Sequence, residues 1–320
     1  MRLYTNIPTI KSPVHPITRT LSALLIAVSS LATAAPTTCP SHFVGGVAPD
    51  VLIPALNNRL YARCFDAYAS AASGITKGGL WSAEHLTREN VQAAHHVPRV
   101  DDFHTDLSIP PADRAELSDY AGSRRIFLDR GHLSPSGDAF SPEAQDQSFL
   151  INGNVVPQNH QNNSNEWEHL ESTARLMAER DGDIYIVTGP AFIGTGLRRI
   201  GSGVIVPSHL FKAVYSRSRG AGVYVTLNAP GYGYALLSVA DFERFAGVDP
   251  FPALPPGVKA HVGNLYRPRL DGAYQEPHAL SELAAIDAGT PEETAGTDDV
   301  SHSHYPYSAG RFTRSLMHGW

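Results

Sequence analysis

The chain has 320 residues, 42% of them hydrophobic and 18% charged, a balance that excludes an intrinsically disordered protein and supplies a core for one large domain or two modest ones. Its 31 acidic residues outnumber 25 basic ones, for a net charge of −6. That excludes a protein that coats a polyanion through bulk positive charge, but not an enzyme that needs only a local cluster of cations.

In chain order, residues 1–34 read first, as a secretory signal peptide. Residues 1–20 carry Arg2, Lys11 and Arg19 and no acid, residues 21–32 are apolar, and Ala32-Thr33-Ala34 offers a small-x-small cleavage pattern. The apolar run falls short of the ~20 residues that span a bilayer, so export to the periplasm or the medium is expected rather than a membrane partner. Cys39 and Cys64 both lie beyond the cleavage site, and an even pair in an exported chain predicts one disulfide, here within an N-terminal extension over residues 35–79. No Cys-x-x-Cys motif is present, which sets aside a cysteine zinc site.

Residues 60–72 are apolar-periodic, and Leu80-Trp81 opens another apolar stretch. Residues 97–120 are polar and proline-bearing, an ordered loop leading to a short helix at 112–120. Residues 125–128 predict a short strand that runs into Asp129-Arg130-Gly131-His132. Residues 133–146 hold Pro135, Gly137 and Pro142 and read as a loop, and 149–156 read as a second strand stopped by Pro157. The clearest helix is 164–180. Ser164 caps it, Glu166 adds a negative charge to the first turn, Trp167, Leu170, Ala174 and Met177 recur at spacings of three, four and three, and Gly182 ends it. Strands follow at 183–188, 204–206, 210–215 and 222–227, and a helix at 238–247. With no βαβ alternation this is an α+β architecture with a largely antiparallel sheet. Residues 287–320 have few apolar side chains and read as a disordered tail.

The residues able to do chemistry gather around the 125–128 strand and the 164–180 helix. His132 is the candidate general base, since histidine titrates near neutrality and can take a proton from water and pass it on; among 15 histidines, a surface or structural role competes with that reading. Gly131 lets the backbone pass close to another element or to a phosphate. Asn163 is the candidate ligand of a hard divalent ion, which prefers oxygen and keeps most of its water, though an asparagine ahead of a helix reads equally well as its cap. Glu171 could hold a water molecule, or form an i,i+4 ion pair with Arg175 on a solvated face. Arg130, Arg175 and Arg99 offer planar guanidinium forks for a pentacovalent phosphate. Asp129 reads as scaffold. Positions 163, 167, 171 and 175 step by four, which sets Asn163, Glu171 and Arg175 along one side of the helix with Trp167 between them. The set suits metal-assisted attack on a phosphodiester.

Asp129-Arg130-Gly131-His132-Leu133-Ser134-Pro135 resembles the signature of the DNA/RNA non-specific endonucleases, the ββα-metal or His-Me finger nucleases. Asn154-x-x-Pro157-Gln158, then Asn163, Trp167, Leu170-Glu171 and Arg175, stand at that family's spacing. Thr188-Gly189-Pro190 and Val206-Pro207-Ser208 with Phe211-Lys212 are similar to its later strands. The resemblance covers residues 80–255 and implies a ββα-metal nuclease fold, with a mostly antiparallel central sheet flanked by helices, in a domain over residues 80–286. It implies His132 as base, Asn163 as the one direct protein ligand of Mg²⁺ (with Mn²⁺ able to substitute), and Glu171 as a water-holding acid. It also implies Arg130, Arg175 and an upstream arginine, Arg99, on the phosphate, and Asn154 in support of the site. DNA and RNA are the substrates it implies, cut to 5′-phosphate ends, and a homodimer is left open. Two rival classes remain, a non-catalytic nucleic-acid-binding protein of the same fold and a phosphodiesterase acting on small molecules.

Overall fold

The computed structural model describes residues 38–283 except Tyr232 and Asp271. The expected signal peptide and the expected tail from residue 287 lie outside the described residues. Seven strands form one sheet in which every neighbouring pair is antiparallel: β1 (Leu60–Cys64), β2 (Ala69–Ser73), β3 (Gly78–Thr87), β6 (Asp183–Ala191), β7 (His209–Ser216), β8 (Gly220–Leu227) and β9 (Ala235–Leu237) lie in that order from one edge to the other. A separate antiparallel hairpin, β4 (Leu128–His132) with β5 (Val155–Asn159), stands between β3 and β6 in the chain. β1 and β2 fall within residues 35–79, so the sheet continues into the segment expected as an extension, and a Cys39–Cys64 disulfide is present there. With a sequence separation of 25 between its cysteines, it stabilises the fold by about 3.5 kcal/mol in the chain-entropy account.

Strand side chains alternate between two faces. On the outer face Trp81, Ala83, Val187, Phe211, Ala213, Val223 and Val225 pack against Phe242 of helix α4 (Val239–Ala246), with Phe211 and Phe242 ring centroids 4.5 Å apart. Gly189 belongs to this face for a steric reason, since a Cβ there would lie 2.4 Å from Leu80 O and 2.7 Å from the Phe211 ring. On the inner face Leu86, Ile184, Ile186, Leu210 and Val214 meet Leu170, Ala174 and Met177 of helix α3 (Glu168–Asp181). Ser238 caps α4 by accepting from Asp241 N, as Thr87 caps α1 (Arg88–Ala94) by accepting from Asn90 N, and Gly247 closes α4 with φ 63°, within the helix expected at 238–247.

The region around the hairpin departs from expectation. Residues 123–126 form a 3₁₀ turn, and Phe127 takes the left-handed φ of 56°, so β4 starts only at Leu128 and the Asp-Arg-Gly-His motif is itself the strand. Within the expected loop 133–146, helix α2 (Pro142–Ser148) begins, with Ser141 Oγ accepting from Ala144 N and Pro142 in its first turn. Of the expected strand 149–156 only Val155 and Val156 are strand, with turns over residues 149–154, and β5 runs on through Pro157, which a two-stranded ladder tolerates because each strand keeps a free edge. The short helix expected at 112–120 shrinks to a 3₁₀ turn, Leu117–Tyr120. The long helix starts earlier than expected. Asn159 caps it, its Oδ1 accepting from Gln161 N and Asn162 N, one α turn (His160–Asn162) and a π turn (Asn163–Trp167) follow, and α3 continues to Gly182 at φ 98°.

Candidate active site

β4, β5 and the helical run form one ββα unit. The hairpin is drawn tight because Gly131, paired with Val156, leaves space for the side chain of Gln158 two residues along β5; a Cβ on residue 131 would fall 2.0 Å from Gln158 Oε1. Gln158 Nε2 in turn donates to Asn162 Oδ1, tying β5 to the helix start. Asn154 is fully buried behind the hairpin. Its Oδ1 accepts from Ser134 N at 2.7 Å, and its Nδ2 donates to Ser134 O and Ser148 O. It fixes the chain just after His132 and does not line the pocket.

The pocket, about 150 Å³ in volume, is walled by Arg99, His132, Asn163, Glu168, Glu171 and Arg175, with the Pro135-Ser136-Gly137 turn on one side. Five residues singled out in the sequence thus converge on one space. Arg130 does not line it; it stands exposed at the rim, its guanidinium 4.1 Å from the Phe103 ring. Arg99 is held by Asp101 and by Ser136 Oγ (2.6 Å), and lies 5.5 Å from the Phe149 ring.

His132 is gripped by two rings, Phe103 and Phe149, each with its centroid 5.0 Å away. Its Nε2 is shut off from solvent and has no hydrogen-bond partner among the described residues. Burial first, then Arg99 and Arg130, pushes its pKa down to about 3, so the ring is neutral at physiological pH and can accept a proton. Glu171 moves the other way. Burial raises it to about 7, against the pull of Lys212 and Arg175. Arg175 Nη1 bonds Asp138 Oδ1 at 2.8 Å across the pocket wall.

Asn163 is not a helix cap; Asn159 fills that place. The Asn163 side chain donates from Nδ2 to Asp129 Oδ2 at 3.0 Å, and a carboxylate only accepts, so the amide nitrogen is committed and Oδ1 is left for a ligand. Asp129 also accepts from His160 Nδ1 at 2.8 Å and lies outside the pocket, the scaffold role read from the sequence. The π turn interrupts the four-residue step. Trp167 is buried to 1% exposure with Leu170, Ala174 and Met177, while Asn163, Glu171 and Arg175 line the pocket.

Among the described residues, no three His, Cys, Asp or Glu side chains form a group that could hold a metal by themselves. The pocket instead pairs one oriented amide oxygen with two nearby carboxyls, Glu168 and Glu171, a set that fits a hard divalent ion retaining most of its water. Sequence reasoning missed Glu168, Phe103 and Phe149. Glu168 lies off the four-residue step, Phe103 stands in the polar segment 97–120, and Phe149 reads only as the start of an apolar run.

A hairpin and a helix that bring a histidine and an asparagine to one polar pocket define the ββα-metal class. A model of the DNA/RNA non-specific endonuclease family matches residues 54–256, and the chain belongs to that family. Its relatives include "Nuclease EXOG, mitochondrial" of Xenopus laevis (32% identical, 60% of this chain, 59% of that protein) and "Endonuclease G, mitochondrial" of Bos taurus (30%, 64% and 70%). A "Nuclease" of Syncephalastrum racemosum is 36% identical over 41% of this chain and 46% of its own. Among solved structures, a chain of the EndoG/EndoGI complex superposes with a TM-score of 0.51 at 26% identity, covering 58% of this chain and 84% of that one. The chain spans less than three fifths of the length of the EXOG relative.

Proposed function

We propose that this protein is an exported, divalent-metal-dependent endonuclease that hydrolyses phosphodiester bonds of DNA and RNA to 5′-phosphate ends. The observation that carries the reading is the convergence of His132, from the end of β4, and Asn163, from the head of the helical run, on one pocket flanked by arginines. An ion bound there, Mg²⁺ or in its place Mn²⁺, would be held by Asn163 Oδ1 and would supply positive charge to stabilise the departing 3′ oxygen. His132, neutral and gripped by its two phenylalanines, takes the proton of the attacking water. Glu171 holds water in the pocket, Arg99 and Arg175 in the pocket wall offset the negative charge that develops on the phosphoryl oxygens, and Arg130 meets the incoming strand. Contacts to phosphate rather than to base edges or the 2′-hydroxyl account for tolerance of both nucleic acids. The leader-like residues 1–34 and the disulfide both accord with export to an oxidising compartment.

The test is digestion of plasmid and of RNA by the wild type and by His132→Ala, with Mg²⁺ and with chelator. The variant is expected to lose about 10²–10⁴-fold in kcat, the span of general-base contributions. Equal rates for the two proteins would sink the proposal, and turnover of a small aryl diester without cleavage of long DNA would favour a small-molecule phosphodiesterase.

A further inference from the structure

The turn that leads into β4 carries two cations, Arg124 and Arg125, that the mechanism leaves unused. With Arg130 they set three arginines against one acid, Asp129, between residues 123 and 132, in a chain whose net charge is −6. An acidic protein repels a polyanion at a distance, so a local excess of arginine marks where one is received. Backbone fixes the turn against the site. Gly122 and Phe127 bracket it in the left-handed region, with φ of 75° and 56°, and Phe127 N donates to Arg124 O. Phe127 O in turn accepts from His160 N at 2.9 Å, and His160 opens the helical run that carries Asn163.

Side chains make a second tie. Asp129 Oδ2 accepts from Asn163 Nδ2 at 3.0 Å and from His160 Nδ1 at 2.8 Å, and Arg124 Nε stands 3.5 Å from the other oxygen, Oδ1. One carboxylate therefore separates the Arg124 guanidinium from Asn163, which lines the pocket. The Arg124 contact is an ion pair without a hydrogen bond, since Asp129 Oδ1 has no hydrogen-bond partner among the described residues. With the Arg124 side chain 84% exposed, so loose a pair contributes little and leaves the guanidinium fork to a ligand. Partial burial, then Arg124, lowers the Arg130 guanidinium from the ordinary arginine value, as two cations in one field should. Like charges held together are unfavourable until an anion joins them.

Resting on the proposed nuclease reading, we infer that Arg124 is a second phosphate-binding residue, which takes the phosphate next to the scissile one as a strand crosses the pocket. The ligand is the sugar–phosphate backbone of a polynucleotide, recognised by charge and by the planar fork and not by its bases. Asp129 does not oppose it, because that carboxylate is turned inward, 10% exposed, with one oxygen held by Asn163 and His160. The pocket meets one diester and the turn meets the next. A polynucleotide, not an isolated diester, is the substrate that such a pair of contacts fits.

The experiment reads binding and cleavage separately, on the full chain. Anisotropy of a fluorescein-labelled single-stranded DNA, in chelator and over a range of salt, compares the wild type with Arg124→Ala, Arg124→Lys and Arg244→Ala. Arg244 is an exposed arginine of α4, behind the outer face of the sheet, and serves as the control. Each phosphate neutralised on a single strand adds about 0.7 to the slope of log affinity against log salt, so Arg124→Ala is expected to lower the slope by about 0.7. Arg124→Lys and Arg244→Ala are expected to keep it. With Mg²⁺, the loss in Arg124→Ala is expected to fall on KM for long DNA rather than on kcat. An unchanged slope in Arg124→Ala overturns the inference, as does an equal fall in Arg244→Ala, which would mean that only net charge is sensed. A lower kcat at unchanged KM and slope overturns it too, because Arg124 would then act through Asp129 on Asn163. So does a metal-free wild type that binds no DNA at low salt. Arg124→Gln, polar and of similar reach, replaces the alanine variant should that fail to fold. Absence of cleavage by a wild type that binds would defeat the nuclease reading alone, because the salt slope is read without turnover.

Discussion

The two faces of the central sheet are built from the same strands to different ends. The outer face is an apolar layer in which Trp81, Phe211, Val223, Val225 and Phe242 belong to one buried cluster. The inner face carries Ser82, Glu84, Thr188, Lys212 and Thr226, all at 1% exposure or less, among its aliphatic residues. Apolar burial is what makes a sheet stable, at ~25 cal/mol per Å² removed from water, and buried polar groups detract from it unless paired. The outer face thus supplies the stability that lets the inner face hold charges under the pocket.

The largest effect that could break this contrast comes from Phe211→Ala. Removing a ring that is fully buried against Phe242 should cost about 3–5 kcal/mol of unfolding free energy, while leaving the pH profile of cleavage unchanged in shape. A denaturant titration checks the first part and a pH–rate series the second; a displaced profile would mean that the outer face also tunes the site. A smaller effect, of opposite sign, is expected from Glu171→Gln. The folded carboxyl titrates near 7, above its ordinary value of 4.5. At pH 4 both states are protonated and wild type and variant should be equally stable. As pH rises from 4.5 to 7 the unfolded chain ionises first and the wild type loses stability, so at pH 8 the variant should be more stable, on the order of 2 kcal/mol, though inactive. Equal stabilities at pH 8 would place Glu171 in a wetter setting than the contrast requires.

How much of this was legible depends on whether neighbours in sequence are neighbours in space. β6, β7, β8 and α4 follow from alternation, from the Ser238 cap and from Gly247, all local signals. His132, Asn163, Glu171 and Arg175 were found because the motif and the helical spacing place them, and Arg99 because the family resemblance asks for an upstream arginine. The hairpin boundaries were not legible, because they rest on contacts distant in sequence: Phe127 turning left-handed, Pro157 accepted on a free edge, and Gln158 packing over Gly131. The Ser141-Pro142 start of α2 was a local signal that two prolines and a glycine outweighed. The π turn hides for another reason, since one five-residue step within a helical run leaves no mark on a pattern that fits four-residue steps. That Glu84 and Lys212 share the inner face was invisible because a strand residue's neighbours are set by register.

The smallest expected effect tests whether the rim exists to set a charge state. Phe103 lies between His132, 5.0 Å from its ring, and Arg130, whose guanidinium is 4.1 Å away. Phe103→Leu keeps an apolar side chain but loses the cation–π contact, at about 1 kcal/mol, and admits water to the imidazole. His132 should then climb from about 3 toward its ordinary 6.5. A histidine with a depressed folded pKa lets the unfolded chain take up its proton first, so the wild type loses stability as pH falls from 6.5 toward 3, and the variant should lose less over that window. Its cleavage rate should drop more at pH 5 than at pH 8, because a protonated imidazole cannot serve as base. Rates reduced by one common factor at both pH values would mean that Phe103 only anchors Arg130, and that His132 owes its neutrality to Phe149 and the two arginines.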